Sequence, residues 1–125
     1  MQVSDLVYDR RKGLLTWGAT HFRAISGPHG KGALPVGTYR IKTRYAVVGK
    51  ALSNRYEDSV TLNRWFLPIE PQFLTPRDSF GIHPDGNIPG TLGCIGLASV
   101  DAGSFWSRWM ATPLPSRPDQ LHVIE

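Results

Sequence analysis

Cysteine is almost absent from this chain, with one residue, Cys94, in 125. A lone thiol makes no intramolecular disulfide, so the fold needs no oxidising compartment and the thiol is left available for chemistry. Long apolar runs are missing too. No stretch approaches the roughly 18 consecutive apolar residues that a membrane-crossing helix needs, so no membrane span is expected. Met1 to Leu6 lacks a basic segment followed by an apolar one, so no signal peptide is expected either. Charged residues are a modest 19% against 41% hydrophobic, values of a chain that buries a core rather than of a disordered tail. The basic residues are dispersed, and their one run, Arg10-Arg11-Lys12, reads as a solvated turn. Nucleic acid is therefore not an expected partner.

Turn formers are plentiful. Thirteen glycines and ten prolines, without a repeat period, predict many tight turns between short strands. The length of 125 residues suits one domain spanning 1–125, expected as a monomer. The net charge of +4 suits an anionic partner such as a cell-wall polymer.

Leu6 to Asp9 and Leu14 to Trp17, separated by Arg10-Arg11-Lys12-Gly13, predict an opening hairpin, with His21 to Ile25 as a third strand. A glycine-rich loop follows. In Gly37 to Thr43, Tyr39 and Ile41 alternate with Thr38, Arg40 and Lys42 as in a half-buried strand. Ser59 to Leu67 is β-like, and Pro68, Pro71 and Pro76 are expected to exclude a continuing central strand. Ser79 to His83 and Gly93 to Leu97 are two short strand-like runs, expected to pair. Ser99 is the expected N-cap of one helix to about Met110, with Asp101 complementing its dipole and Phe105, Trp106 and Trp109 facing the core. Leu121 to Ile124 closes the chain as a strand. The expected fold class is mainly β with one sizeable helix.

The chemistry concentrates in Phe80-Gly81-Ile82-His83-Pro84-Asp85-Gly86-Asn87-Ile88-Pro89-Gly90-Thr91-Leu92-Gly93-Cys94-Ile95-Gly96-Leu97. A histidine ends one strand and a cysteine begins the next. A thiol is only slightly ionised at neutral pH, so a nucleophilic cysteine calls for an adjacent base, and imidazole is the usual one. That pairing predicts a Cys94 pKa below the free value of about 8.5. Gly93 lets the backbone turn beside the thiol and lets a substrate carbonyl approach, with nearby N–H groups to bind its oxyanion. The alternative is a small buried hydrophobe, which Ile95 and Leu97 would suit.

These residues resemble the active-site motif of the L,D-transpeptidase (YkuD-type) catalytic domain, in which a His-bearing strand and a variable loop precede Ser or Thr, His, Gly, Cys, Ile or Val, and Arg. Leu34-Pro35-Val36-Gly37-Thr38-Tyr39-Arg40-Ile41 is similar to the family's segment upstream of that site. The resemblance implies a β-sandwich-like domain in which Cys94 attacks a carbonyl of a peptidoglycan stem peptide, forming a thioester, with His83 as base. It also implies that a backbone carbonyl of Thr91-Leu92-Gly93 orients the imidazole, and that Thr91 occupies the Ser/Thr position. Leu92 replaces the family's second histidine and Gly96 its arginine. The missing cation is then expected from Arg77 or Arg23.

Divergent small members of this kind include antibacterial effectors and phage-associated wall enzymes. A bacteriolytic hydrolase of the endolysin type is the expected context, reaching the wall by holin-type release or by injection. The alternatives are a transpeptidase that forms crosslinks or exchanges D-amino acids, and an inactive wall-binding or virion domain.

Asp85 is read either as a turn residue or as a partner for His83 or a substrate ammonium. A zinc site from His83, Asp85 and Cys94 lacks any paired ligand motif, and no metal or other cofactor is expected. His21, His29 and His122 read as structural or solvated. Among the tryptophans, Trp65 beside the proline loop is the expected cleft residue.

Overall fold

The computed structural model describes residues 5–27, 33–42, 46–49, 52, 56–58, 61–85 and 94–125. The opening hairpin joins β1 (Leu6–Asp9) to β2 (Leu14–Trp17), and β3 (Thr20–Ile25) pairs back on β2. Gly13 adopts φ 65°, the left-handed conformation that a non-glycine residue resists, and this closes the turn. The meander continues with β4 (Gly37–Ile41), a two-residue β5 (Val47–Val48), β6 (Trp65–Pro71), β7 (Gly81–Pro84) and β8 (Ile95–Leu97). The helix α1 (Ser99–Ala111), a 3₁₀ turn at Leu114–Ser116 and β9 (Gln120–Ile124) complete the described elements.

The strand order is β4-β9-β1-β2-β3-β8-β7-β6, and β4 also pairs with β6, so these eight strands form a closed ring with β5 appended to β6. Two neighbours run parallel: β1 with β9 and β7 with β8. The strand alternation sends Leu6, Tyr8, Leu15, Trp17, Tyr39 and Ile41 inward, where they meet Leu67, Ile82, Ile95 and Leu121 in one buried core. The fold class is therefore mainly β, with one α-helix among the described residues, as the turn-rich composition predicts.

Helix α1 contributes Phe105 and Trp109 to that core, and its Asp101 accepts a 2.6 Å hydrogen bond from the Arg23 backbone N–H, tying the first turn to β3. Ser99 is not the cap: the N-cap is Ala98, without a side-chain hydrogen bond, and Ser99 is the first helical residue. The acid at Asp101 takes over at the helix start, where it complements the helix dipole.

The prolines also behave differently from expectation. Pro68 and Pro71 lie inside β6, because the strand changes partners there: Leu67 and Pro68 pair with β7, and Ile69 to Pro71 pair with β4. Pro68 still contributes its carbonyl, which accepts from the Lys42 N–H at 3.3 Å, and a residue at such a switch needs no N–H of its own. Trp65 is likewise no cleft residue. It is fully buried and stacked between Phe105, at 5.6 Å, and Trp106, at 4.7 Å between ring centroids. The partly buried Trp106, and not Trp65, lines a groove of about 590 Å³ with Val48, Leu62 and Arg64.

Candidate functional site

Strands β7 and β8 differ from the rest of the ring in being buried on both faces. Their parallel register matches Ile82 with Ile95, His83 with Gly96 and Pro84 with Leu97. The paired isoleucines point into the core, so His83 and Gly96 face outward together. Continuing the register by one residue sets Cys94 opposite Gly81, on that same outer face and one step along from His83. The Cα diagonal is then roughly 8 Å, from a rise of about 3.3 Å per residue and a strand spacing of about 4.8 Å, a gap that an imidazole and a thiol can close.

The imidazole is held on three sides. His83 Nδ1 lies 2.7 Å from the Pro84 carbonyl oxygen, an acceptor that selects the Nδ1-protonated tautomer and leaves Nε2 as the basic nitrogen. The Tyr56 ring meets the His83 ring edge-on at 4.8 Å, and Phe66 stacks at 5.9 Å with the planes 13° apart. His83 is only 6% exposed as a result. The carbonyl orienting the ring among the described residues is that of Pro84. The Thr91-Leu92-Gly93 carbonyls implied by the family resemblance lie outside the described residues, as do Thr91 and Gly93 themselves.

The Cys94 thiol docks against the turn before β7, 3.6 Å from the Ser79 carbonyl oxygen and within hydrogen-bonding reach of the Gly81 N–H. Ser79 has φ 61°, a left-handed conformation uncommon outside glycine, in the turn that brings its carbonyl to the sulfur. Burial pushes the Cys94 thiol above its ordinary value of 9.0, while the Gly81 N–H and the Arg77 charge pull it down by less. The lowered pKa expected from sequence is therefore overturned for the free protein. Desolvation of the thiolate outweighs the hydrogen bond and the nearby cation.

Arg77 acts electrostatically on Cys94 although it lies 17 residues earlier in the chain, and it is anchored by a 2.9 Å hydrogen bond from Nη1 to the Ala33 carbonyl. Its guanidinium also lies 5.3 Å from the centroid of Phe80. Arg23, the other cation considered, pairs with Asp101 at 3.4 Å. Asp85 does not carry the Nδ1 contact of His83, which goes to Pro84. Asp85 instead extends β7, its N–H donating to Leu97 O at 2.8 Å, and lines a hollow of about 290 Å³ with Lys12, Arg23, Gly96 and Ala98.

Comparison with solved structures adds the fold relationship. The chain superposes on L,D-transpeptidase 1 of Mycobacterium tuberculosis with a TM-score of 0.53 and 14% sequence identity, over 98% of this chain and 62% of that one. The fold is that of an L,D-transpeptidase. The chain spans under two thirds of the length of this transpeptidase, and at this identity the likeness concerns the backbone arrangement. No family model matches the sequence, and neither does any curated protein sequence.

Within the transpeptidase fold, four residues around the cysteine and histidine escaped the sequence reading. Gly81 had a readable signal, a glycine two positions before His83 and hence on the same face of its strand. Tyr56, Phe66 and Ser79 had none, since the first two reach His83 from other segments and the role of Ser79 rests on a backbone angle. His122 reads correctly as structural, bridging Asp5 at 2.8 Å and Thr38 at 3.2 Å, and His21 contacts Thr16 at 2.8 Å. His29 lies outside the described residues.

Proposed function

We propose that the chain is a peptidoglycan-acting cysteine enzyme in which Cys94 is the nucleophile and His83 the general base. The observation that supports this reading is the parallel pairing of β7, which carries His83, with β8, which Cys94 immediately precedes, in a transpeptidase fold. His83 Nε2 takes the thiol proton as sulfur adds to a stem-peptide carbonyl. The tetrahedral intermediate collapses with cleavage of the C–N bond, and the imidazolium returns the proton to the leaving amine. Water, deprotonated by the same imidazole, then attacks the thioester, releasing the carboxylic acid and the thiol. A thiol held neutral by burial suits proton transfer in concert with attack, rather than a standing thiolate–imidazolium pair.

Gly93, the residue before Cys94 in the sequence, is assigned to backbone stabilisation of the oxyanion, and Thr91 and Asp85 to substrate contact. Arg77, whose charge reaches the thiol, is assigned the cationic role. Net hydrolysis, with bacteriolysis from the wall side after phage-type release or injection, is the proposed outcome. An amine acceptor in place of water would make it a crosslinking or exchange transpeptidase. No helix among the described residues is long and apolar enough to cross a membrane.

Mass spectrometry of purified cell wall incubated with wild type and with Cys94→Ala tests the proposal. Wild type is expected to release stem-peptide fragments without new linkages, and Cys94→Ala none. Equal release by both proteins overturns the role of Cys94, and D-amino-acid adducts or new crosslinks replace hydrolysis by transpeptidation.

A further inference from the structure

Three of the four tryptophans, Trp17, Trp65 and Trp109, are buried, and Trp106 is only partly covered. Trp106 ends a row of three nearly parallel rings, since Trp65 stacks on Phe105 at an interplanar angle of 16° and on Trp106 at 8°. Trp65 covers one face of the Trp106 indole, and the side left uncovered lines the groove of about 590 Å³. That volume falls within the range of small-ligand pockets, about 300 to 1,000 Å³. Val48 of β5 and Leu62 add apolar walls, although each is more than half exposed.

Leu62 is held at this groove against its backbone preference. It has φ 62°, a left-handed conformation that a leucine resists, and at 65% exposure its packing within the chain does not offset the strain. The buried Asp58 fixes the turn. Its carbonyl accepts from the Leu62 N–H at 2.7 Å, its N–H donates to the Asn63 carbonyl at 2.8 Å, and its carboxylate accepts from the Thr61 hydroxyl at 2.8 Å. Leu62 and Asn63 are thereby presented to the groove, Asn63 with its side-chain amide unused among the described residues. Glu57 and Arg64 complete the rim. They pair at 3.1 Å through Oε1 and Nε, and Arg64 Nη1 donates to the Leu52 carbonyl at 2.9 Å, so Glu57 Oε2 and Arg64 Nη2 remain for a ligand. The paired charges cancel, which suits a neutral ligand rich in hydroxyls.

We propose that this groove is a carbohydrate seat for a neutral pyranose ring, its C–H face flat on Trp106 and its hydroxyls on Glu57, Asn63 and Arg64. A hydroxyl donates to a carboxylate and accepts from an amide or guanidinium, so one ring serves all three groups. A flat aromatic ligand would stack too, but would leave most of the polar rim unused. The seat goes beyond the reading of Cys94, because binding there involves no covalent step. The segments that wall it also wall the imidazole: Tyr56 precedes Glu57, and Phe66 follows Arg64 by two residues. A stem peptide hangs from a glycan strand, so one substrate could occupy the seat and reach the thiol, and this link alone rests on the proposed function.

The probes are cellotriose, sorbitol and adenosine, titrated into the wild-type protein and followed by acrylamide quenching of tryptophan fluorescence and by backbone amide shifts in NMR. Cellotriose is expected to shield Trp106 from acrylamide and to shift the amides of Val48, Asn63 and Trp106. Sorbitol offers hydroxyls without a ring face and should bind at least about tenfold more weakly. Asn63→Ala should weaken cellotriose about fivefold, the loss of one hydrogen bond. Leu62→Gly should weaken it as well while keeping the fold, since glycine takes this φ without strain. Trp106→Ala should abolish binding.

Equal binding of cellotriose and sorbitol, tighter binding of adenosine, or shifts confined to other faces of the ring overturns the proposal. So does wild-type affinity in both Asn63→Ala and Leu62→Gly, whose exposed positions keep the test valid even where Trp106→Ala fails to fold. Wall-fragment release measured on the same samples separates the two readings. Cellotriose binding without fragment release rejects the catalytic reading alone, and release without cellotriose binding rejects the seat alone.

Discussion

The Phe66 ring takes the space that a side chain at position 81 would fill: a Cβ on Gly81 would lie 2.2 Å from Phe66 Cζ. The same ring stacks on His83, so the glycine and the aromatic together fix one wall of the imidazole's site. Gly81→Ala is expected to displace Phe66 and to cost about 1 to 3 kcal/mol, the range for overpacking a buried position. Urea denaturation measures that cost, and wall-fragment release should fall with it. Adding Phe66→Leu to Gly81→Ala should recover part of the stability. An unchanged single variant would show that Phe66 moves freely and does not brace His83.

The direction of the thiol shift gives a prediction about reactivity. Iodoacetamide labelling of Cys94 in the free protein should rise with pH around a midpoint above the ordinary thiol value of 9.0. Arg77→Gln removes a charge that favours the thiolate and should move the midpoint higher still. The sign also extends to stability. A thiol whose pKa is raised by folding contributes stability fully below its unfolded pKa, and loses that contribution as pH rises through the folded value. Alkaline unfolding should therefore be less steep in Cys94→Ala. A labelling midpoint below 9.0 in the wild type would mean that desolvation does not dominate at this sulfur.

Tyr39 offers a second titration, independent of the site. Burial pushes its phenol up to about 12, against the opposing charges of Arg77 and Arg10, and its hydroxyl donates to the Pro35 carbonyl at 2.6 Å. Folding raises this pKa as well, so the associated stability is intact below about 10 and is lost as pH rises toward 12. Burial raises the Tyr8 phenol as well, so ultraviolet titration should show tyrosine ionisation extending above the ordinary value, and Tyr39→Phe should remove the component near 12. A single transition near the ordinary value for all four tyrosines would contradict the burial of Tyr39.

Gly103 sits inside α1, where alanine would ordinarily gain about 1 kcal/mol of helix propensity. Here a Cβ would lie 2.8 Å from Oδ2 of Asp58, a carboxylate only 1% exposed that also accepts a 2.8 Å hydrogen bond from Thr61. Displacing a buried, hydrogen-bonded carboxylate costs more than the propensity returns, so Gly103→Ala should lower the melting temperature. A rise would show that the Asp58 turn adjusts at little cost.

Much of the fold is legible in the sequence because its strands alternate plainly. Tyr39 and Ile41, or Leu121 and Val123, announce an inward face, and Arg10 to Gly13 announces a turn by composition alone. Cys94 and His83 are legible as a pair because their runs are short, apolar and separated by turn formers. Other features depend on partners that no local pattern reveals. Pro68 is admitted to β6 because the pairing passes there from β7 on one edge to β4 on the other, and Trp65 is buried because α1 returns to cover it. The thiol pKa departs from the sequence expectation for a related reason: proximity to a base is visible in spacing, but desolvation depends on the whole surrounding fold.

The parallel pairing of β1 with β9, Leu6 against Leu121 through Asp9 against Ile124, has a consequence for biosynthesis. The seam of the ring is stitched from the first and last of the described strands, so the closed ring does not exist until residue 124 has left the ribosome. β9 also supplies the partner of β4, whose other neighbour is β6, the strand that carries Phe66 to His83. A nascent chain stalled before Gln120 thus holds both Cys94 and His83 yet lacks the seam that fixes their surroundings, and the assembled site waits for β9.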